Sequence, residues 1–447
     1  MSDNDERLSE DKSLLRRAGR NFARLLRGRG VAAALETLTI VVLARSLSPA
    51  HFGSIVLIQT YVLVVRELLN FKLFEAIIRF GVPMIEAQDL GSFRQLLRVS
   101  LCIDVASAVA ATIIAIVAAP LTASLLNWDH DLAHLAMLYS AVLLLFGSGT
   151  AKGVLRLFDR YDILGMQLMV GPALRLAGVL LVWWWQPGIL LFVVVLTIAA
   201  ATGNVYLNIR GWAEMRRQVG TLGLRQFSLQ GWREQFPGLA GFIAVVYWQA
   251  NVDMLPKQLS TLLAGLFLGP QGAGLLRLAS ELTKILTKPG ELLQQVLFPD
   301  LVRLWIRGAT AFAAVLQRAL VISVLYGLVF VTAALFGGSS ILTFALGENY
   351  AQAAPLLTLF MLAATFELLS SVLRSAGYAM GHAGKILRLH LISSVLYLLL
   401  FVLLTPRAGL IGPGIAAAVA ALVPLGGMGW LVLQKIQKKT NSGPDRA

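Results

Sequence analysis

Five charged residues, Arg277, Glu281, Lys284, Lys288 and Glu291, follow one another at steps of four, three, four and three within LLRLASELTKILTKPGELLQQ, residues 275–295. At about 100° per residue they fall within an arc of roughly 80° on one helix face. Leu278, Ala279, Leu282, Leu286 and Leu293 occupy the opposite side. Arginine and lysine fixed on one wall are the side chains that grip phosphate and carboxylate by charge-assisted hydrogen bonds. The same spacing also allows a ladder of internal ion pairs, Arg277–Glu281, Glu281–Lys284 and Lys288–Glu291, with no ligand at all. A charged stripe with an apolar back suits either a helix lying flat on a membrane or one lining a wet cavity inside it.

Composition sets the class. The chain has 447 residues, 57% hydrophobic and 14% charged, with a mean hydropathy of +0.73. A chain this apolar belongs in a bilayer, with length for about a dozen spans of roughly 20 residues. One cysteine, Cys102, leaves no disulfide framework. The net charge of +14 would suit nucleic acid, but basic residues in a polytopic chain must first be tested for sidedness.

Residues 1–29 are polar, without the short apolar core and small-residue cleavage site of a signal peptide, so no cleavable one is expected; LLRRAGRNFARLL predicts a cationic helix on the cytoplasmic membrane surface. Twelve apolar segments follow, at 30–53, 54–78, 96–120, 132–155, 163–185, 188–209, 238–268, 272–298, 313–337, 354–378, 387–404 and 410–433. The connections on one side carry nearly all the arginine and lysine, among them Arg94, Arg98, Lys152, Arg156, Arg160, Arg216, Arg217, Arg303, Lys385 and Arg388. The opposite connections carry His51, Asp129, Asp131 and Glu348, with Arg407 the one strong base. This is the positive-inside pattern, and it puts both termini in the cytoplasm. Most of the basic excess is thereby topological, and no nucleic-acid partner is needed.

The chain also repeats. LARSLSPAHFG, with Pro49 and Gly53, returns as LAGLFLGPQGAG, with Pro270 and Gly274; GVLRLFDRY, with Arg156, returns as SVLRSAGY, with Arg374. Two six-helix halves of like orientation are expected, at 30–209 and 238–433, joined by a basic linker at 210–237 and followed by a cytoplasmic tail at 434–447. The stripe at 275–295 then occupies the place of the second helix of its half, and so it spans. A charge at mid-bilayer costs about 2.5–3.5 kcal/mol, so the stripe must face the protein interior.

Other charges interrupt apolar runs: Arg66, Glu67 and Asn70 in VVRELLN, Asp104 in LCIDVAS, and Arg175 in ALRLAGVLL. Asp253 and Lys257 lie one turn apart in the seventh segment with Pro256 between them, where a kink with a cation or proton site, or a buried pair holding a bend, are both open. Arg66, Arg175, Arg277, Lys284 and Lys288 are the candidate substrate contacts; Asp104, Asp253, Lys257 and Glu281 are candidates for ion coupling or pairing. Catalytic motifs are missing: there is no HExxH, CxxC, GxSxG or GxxxxGK[ST], so the chain is expected not to be an enzyme and to carry no metal or cofactor.

ETLTIVVLARSLSPAHFGSIVLIQTYVL resembles the first hairpin of the oligosaccharide flippases of the polysaccharide transporter (Wzx-like) family, and LFPDLVRL and HLISSVLYLLLFVLLTPRAGLIGPGIAAAVA resemble later parts of it. The chain departs from the family where many members carry an acidic residue shortly before the second glycine–proline turn; here Ser260 stands. The resemblance implies an all-α fold of the multidrug/oligosaccharidyl-lipid/polysaccharide (MOP) exporter superfamily: two pseudo-symmetric six-helix bundles around a central cavity. It further implies a flippase of the bacterial inner membrane, moving polyprenyl-pyrophosphate-linked oligosaccharide by alternating access. Its partners would be that substrate, membrane lipids and other polysaccharide-assembly proteins, with proton or sodium coupling open. The rivals are an ion-coupled multidrug exporter of the same superfamily, which prefers an acidic or aromatic cavity; a peptidoglycan-precursor flippase, which usually has fourteen spans where twelve are counted here; and a polytopic polysaccharide polymerase or ligase, which needs a larger outer loop.

Overall fold

The computed structural model describes residues 27–126, 128–185, 188–222 and 232–441; within these, the side chains of Arg233, Val252, Asp253, Ile285 and residues 289–300 lie outside the described set. The expected cationic helix at residues 14–26 also falls outside it. The described residues are almost wholly helical, with no strand among them. A first helix, α1, covers 27–46. It is followed by α2 (Pro49–Leu68), α3 (Leu73–Glu86), α4 (Leu90–Leu125), α5 (His130–Ser140), α6 (Gly149–Leu157), α7 (Tyr161–Trp185) and α8 (Ile189–Val219). After the four-residue α9 (Trp232–Gln235) come α10 (Leu239–Arg307), α11 (Ala309–Leu346), α12 (Ala354–Ala379), α13 (Ala383–Ala408) and α14 (Gly412–Asn441).

Nine stretches of the described residues are long and apolar enough to cross a membrane. That division takes Ala383–Thr440 as one stretch and Met254–Lys288 as another. With α1 included, and with α10 divided at its kink and α13 from α14, the described residues make twelve long helical passages. Backbone groups in a bilayer must be satisfied within the segment, which is why the passages are helical. Their outward faces carry exposed apolar side chains, among them Val117, Leu121, Leu181, Ile322, Val329 and Leu399. The protein is a multi-span membrane protein.

Local chemistry sets the helix ends. Asp89 accepts from the backbone N–H of Ser92 at 2.9 Å and caps α4. Gly220 and Gly347, at φ of 84° and 107°, end α8 and α11 in conformations that suit glycine. The sequence places a kink at Pro256, but α10 keeps helical φ and ψ there; its break is at Gly269, φ 71°. Proline alone bends a helix less sharply than a residue that leaves the helical region.

By contacts the chain forms two compact units: the chain up to Ser46 with Ile58–Gln258, and Leu47–Leu57 with Leu259–Ala447. The first has a core of Leu73, Ile77, Phe93, Leu96, Leu97, Val154 and Met215, where α3, α4, α6 and α8 meet. Gly211 of α8 lies so close to Ala151 of α6 that a Cβ would collide with it, the small-residue contact that lets membrane helices approach. The second unit packs α11, α12, α13 and α14 around Phe312, Leu316, Val372, Leu373, Ala376, Ile386 and Met428. Here the two copies of the repeated turn lie side by side. A Cβ on Gly274 would stand 3.0 Å from the Cα of Gly53, and one on Gly53 would run into the carbonyl of Pro270. Tyr350 closes this contact, with its ring edge-on to Phe52 and its hydroxyl donating to the carbonyl of Leu47 at 3.2 Å.

Candidate functional site

Two passages of the first unit are interrupted in mid-course. Between α2 and α3 the chain leaves the helix at residues 69–72, with Lys72 in the left-handed region at φ 50°. The Asn70 side chain accepts from the Lys72 backbone N–H at 3.2 Å, and Tyr247 donates to the freed carbonyl of Leu68 at 2.8 Å. Between α5 and α6 lies a short 3-10 turn, Ala141–Leu145, followed by non-helical residues 146–148. Non-helical backbone at membrane depth is tolerated where it is buried in protein or lines a cavity, and broken helices of this kind hold the sites of many transporters.

The two breaks adjoin. The Arg66 guanidinium at the end of α2 sits 4.3 Å over the ring of Phe146 in the second break. In the opposite sense, Phe74 at the start of α3 receives Lys152 at 4.8 Å and Arg156 at 4.4 Å, both from α6. Asp104 of α4 ties down the start of α6, its Oδ2 accepting from the backbone N–H of Thr150 at 2.5 Å and from the Thr150 hydroxyl at 2.7 Å. A carboxylate on a helix N-terminus is stabilised by both the free N–H groups and the helix dipole. Gly149 makes room for it, since a Cβ there would stand 2.7 Å from Oδ1. A cleft of about 30 Å³ lies between these pieces, with Arg66, Asn70, Asp104, Ser107 and Phe146 in its wall.

The first unit therefore gathers bases in its interior. Lys152 lies in the field of Arg156, Arg66, Lys72 and Arg29, and Tyr139 lies in that of Arg175 and Arg66. The Nε atoms of Arg156 and Arg175 are buried without a hydrogen-bond partner. Against these bases stand Asp104 and Glu67, both buried. Glu67 is taken by Lys72 at 2.5 Å, with Arg66 Nε at 3.9 Å. Sequence reasoning places Arg66, Arg175 and Asp104 in the interior, and the structure brings Arg66 and Asp104 to one cleft and Arg175 within electrostatic reach of Tyr139. It also shows what that reasoning missed. Lys152 and Arg156 count as loop residues by sidedness, yet they lie on α6 beside Phe74. Lys72, which an unbroken helix would carry away from Glu67 to the membrane surface, turns back to it across the break.

The second unit holds the charged stripe on α10. Arg277 Nη2 and Lys284 Nζ share one oxygen of Glu281, at 2.7 and 2.6 Å. This is the internal ion-pair arrangement that the spacing allows. Glu281 is 17% exposed against 36% and 45% for its two partners, so the bases stand proud of the carboxylate they share. Lys288 and Lys257 are exposed. Asp253 and Glu291 fall among the side chains outside the described set, so neither the Asp253–Lys257 nor the Lys288–Glu291 pair is described. In the turn between α6 and α7, Arg160 bridges Asp162, at 3.2 Å, and the buried Glu214, fastening that turn to α8. The Arg160–Asp162 hydrogen bonds are the largest of the causes holding the Arg160 pKa above its ordinary value.

The architecture is the fold of the MOP superfamily of transporters. Among solved structures, the inward-facing conformation of a multidrug resistance MATE family transporter superposes with a TM-score of 0.70 at 15% identity, over 93% of this chain and 99% of that one. The lipid II flippase MurJ in an inward closed conformation gives 0.71 at 12% identity, over 92% of this chain and 88% of that one. These neighbours are a transporter and a flippase, not enzymes. No family model matches. A relative by sequence is Inner membrane protein YghQ of Escherichia coli strain K12, 25% identical over 342 residues, which are 76% of this chain and 95% of that one.

Proposed function

We propose that the protein is a flippase of the bacterial inner membrane that moves a polyprenyl-pyrophosphate-linked oligosaccharide, an O-antigen, capsule or exopolysaccharide unit, by alternating access of its halves 30–209 and 238–433, with both termini cytoplasmic. The observation that carries this reading is the surplus of fixed cations inside the first unit. Arg66, Lys152 and Arg156 meet aromatic rings at two interrupted helices, Arg175 is within electrostatic reach of Tyr139, and of the two buried carboxylates Glu67 and Asp104, one is already neutralised by Lys72. Bare bases in a low-dielectric interior are costly, and an anion that neutralises them repays that cost. A pyrophosphate offers several oxygens to guanidinium and ammonium groups at once. A cationic drug would meet repulsion at the same place, which disfavours the multidrug exporter. Arg277, Lys284 and Lys288 on α10 supply further bases, with the two nearest Glu281 held in place by it.

The test is reconstitution into vesicles with a fluorescent lipid-linked oligosaccharide, with efflux of a cationic dye measured alongside. Translocation of the glycolipid, lost in Arg66→Ala and in Lys284→Ala at equal protein content, is the expected result. Dye efflux without glycolipid movement would overturn the reading, as would full glycolipid movement in both variants.

A further inference from the structure

Asp104 differs from the other carboxylates buried in the first unit. Glu67 has Lys72 and Glu214 has Arg160, whereas among the described residues no base lies within ion-pair distance of Asp104. Its Oδ2 is taken up by Thr150 at the start of α6. Its other oxygen, Oδ1, lies against Gly149, and Asp104 forms part of the wall of the cleft, whose volume of about 30 Å³ is space for a water molecule to deliver a proton. The groups facing it are few. Arg66 at the end of α2 is the charged side chain that shares the cleft, Asn70 and Ser107 are its neutral polar neighbours, and Thr150 is its partner on α6. Lys152 lies on α6 over Phe74, Lys72 is held by Glu67, and Arg175 is near Tyr139.

We propose that Asp104 is a proton-binding site linked to the anion site, so that binding of the pyrophosphate group is accompanied by uptake of one proton on Asp104. This rests on the functional reading above. The ionised carboxylate shares its cleft with Arg66, and it opposes any anion drawn to that guanidinium. When a pyrophosphate arrives, a second negative charge in the same low-dielectric interior becomes costly, and the carboxylate discharges by taking a proton from the water of the cleft. The step is balanced: carboxylate plus proton gives the carboxylic acid, whose carbonyl oxygen still accepts from the Thr150 N–H, so α6 stays anchored. One charge of the headgroup is then neutralised in transit, and the membrane potential acts on the remainder.

The experiment uses the full-length protein in detergent with farnesyl pyrophosphate as the probe. Calorimetric titrations in buffers of different protonation enthalpy give the protons taken up per ligand, and the difference between wild type and Asp104→Asn cancels the ligand's own ionisation. The expected difference is about one proton, with Asp104→Asn binding about tenfold tighter near neutral pH because it begins without the opposing charge. Equal proton uptake in the two proteins would overturn the proposal. Infrared difference spectra across pH provide a second reading: a carboxyl band that titrates in wild type is expected to vanish in Asp104→Asn, and its presence in both would overturn the proposal without any ligand. Failure of farnesyl pyrophosphate to bind either protein would instead remove the functional reading, leaving the infrared band to decide on Asp104.

Discussion

The Glu67–Lys72 pair lends itself to a quantitative test, because it spans the break in the second passage. The two groups are 2.5 Å apart, with side chains 6% and 18% exposed. At an effective dielectric of about 20 the raw attraction at this distance is about 6–7 kcal/mol, most of which the desolvation of two ions offsets. Deleting one partner of a buried pair costs about 3–5 kcal/mol, because the other charge is left uncompensated. Lys72 retains some exposure and recovers part of its hydration, so Glu67→Gln should cost about 3 kcal/mol. For a unit of this size each kcal/mol moves the melting temperature by about 2–4 °C, giving a fall of about 6–12 °C. The double variant Glu67→Gln/Lys72→Met removes both charges, and it should melt closer to wild type than Glu67→Gln alone. Thermal melting of wild type, Glu67→Gln, Lys72→Met and the double variant in one detergent, followed by size-exclusion fluorescence, completes the cycle. Single effects that add to within about 0.5 kcal/mol would refute the argument that the pair latches the break.

Two further outcomes concern the second unit. Gly53→Ala drives a methyl into the carbonyl of Pro270, backbone against backbone, and should lower stability by about 1–3 kcal/mol, read as a fall in melting temperature. Tyr350→Phe removes the hydroxyl donated to Leu47 while keeping the ring against Phe52, and should cost about 0.5–1.5 kcal/mol in the same assay.

The long apolar runs were plain in the sequence because hydropathy acts over some twenty residues at once, and no single residue has to be read correctly. The stripe on α10 was equally plain, since Arg277, Glu281 and Lys284 meet along one helix at spacings that the helix itself dictates. The helix breaks were hidden. Nothing in RELLNFKLFE is a glycine or proline, yet the chain leaves the helix there. Asn70 and Lys72 satisfy the backbone locally, and Tyr247, far away in sequence, takes the carbonyl of Leu68. Once the helix is taken as continuous, Lys72 is carried to the cytoplasmic surface and its pairing with Glu67 is lost. The link from Asp104 to Thr150 was hidden for a related reason. It is a helix cap supplied from another helix, 46 residues away, and capping rules look only at neighbours in sequence.

The glycine contact between the two repeated turns has a consequence for how this chain tolerates change. Gly53 and Gly274 occupy matching places in the two copies of the motif, and each is the other's immediate neighbour in space. Two copies of a duplicated segment are ordinarily free to drift apart, since a change in one leaves the other untouched. Here a side chain added to either copy uses up the space of both. The two positions behave as a single site for mutation, written twice in the sequence.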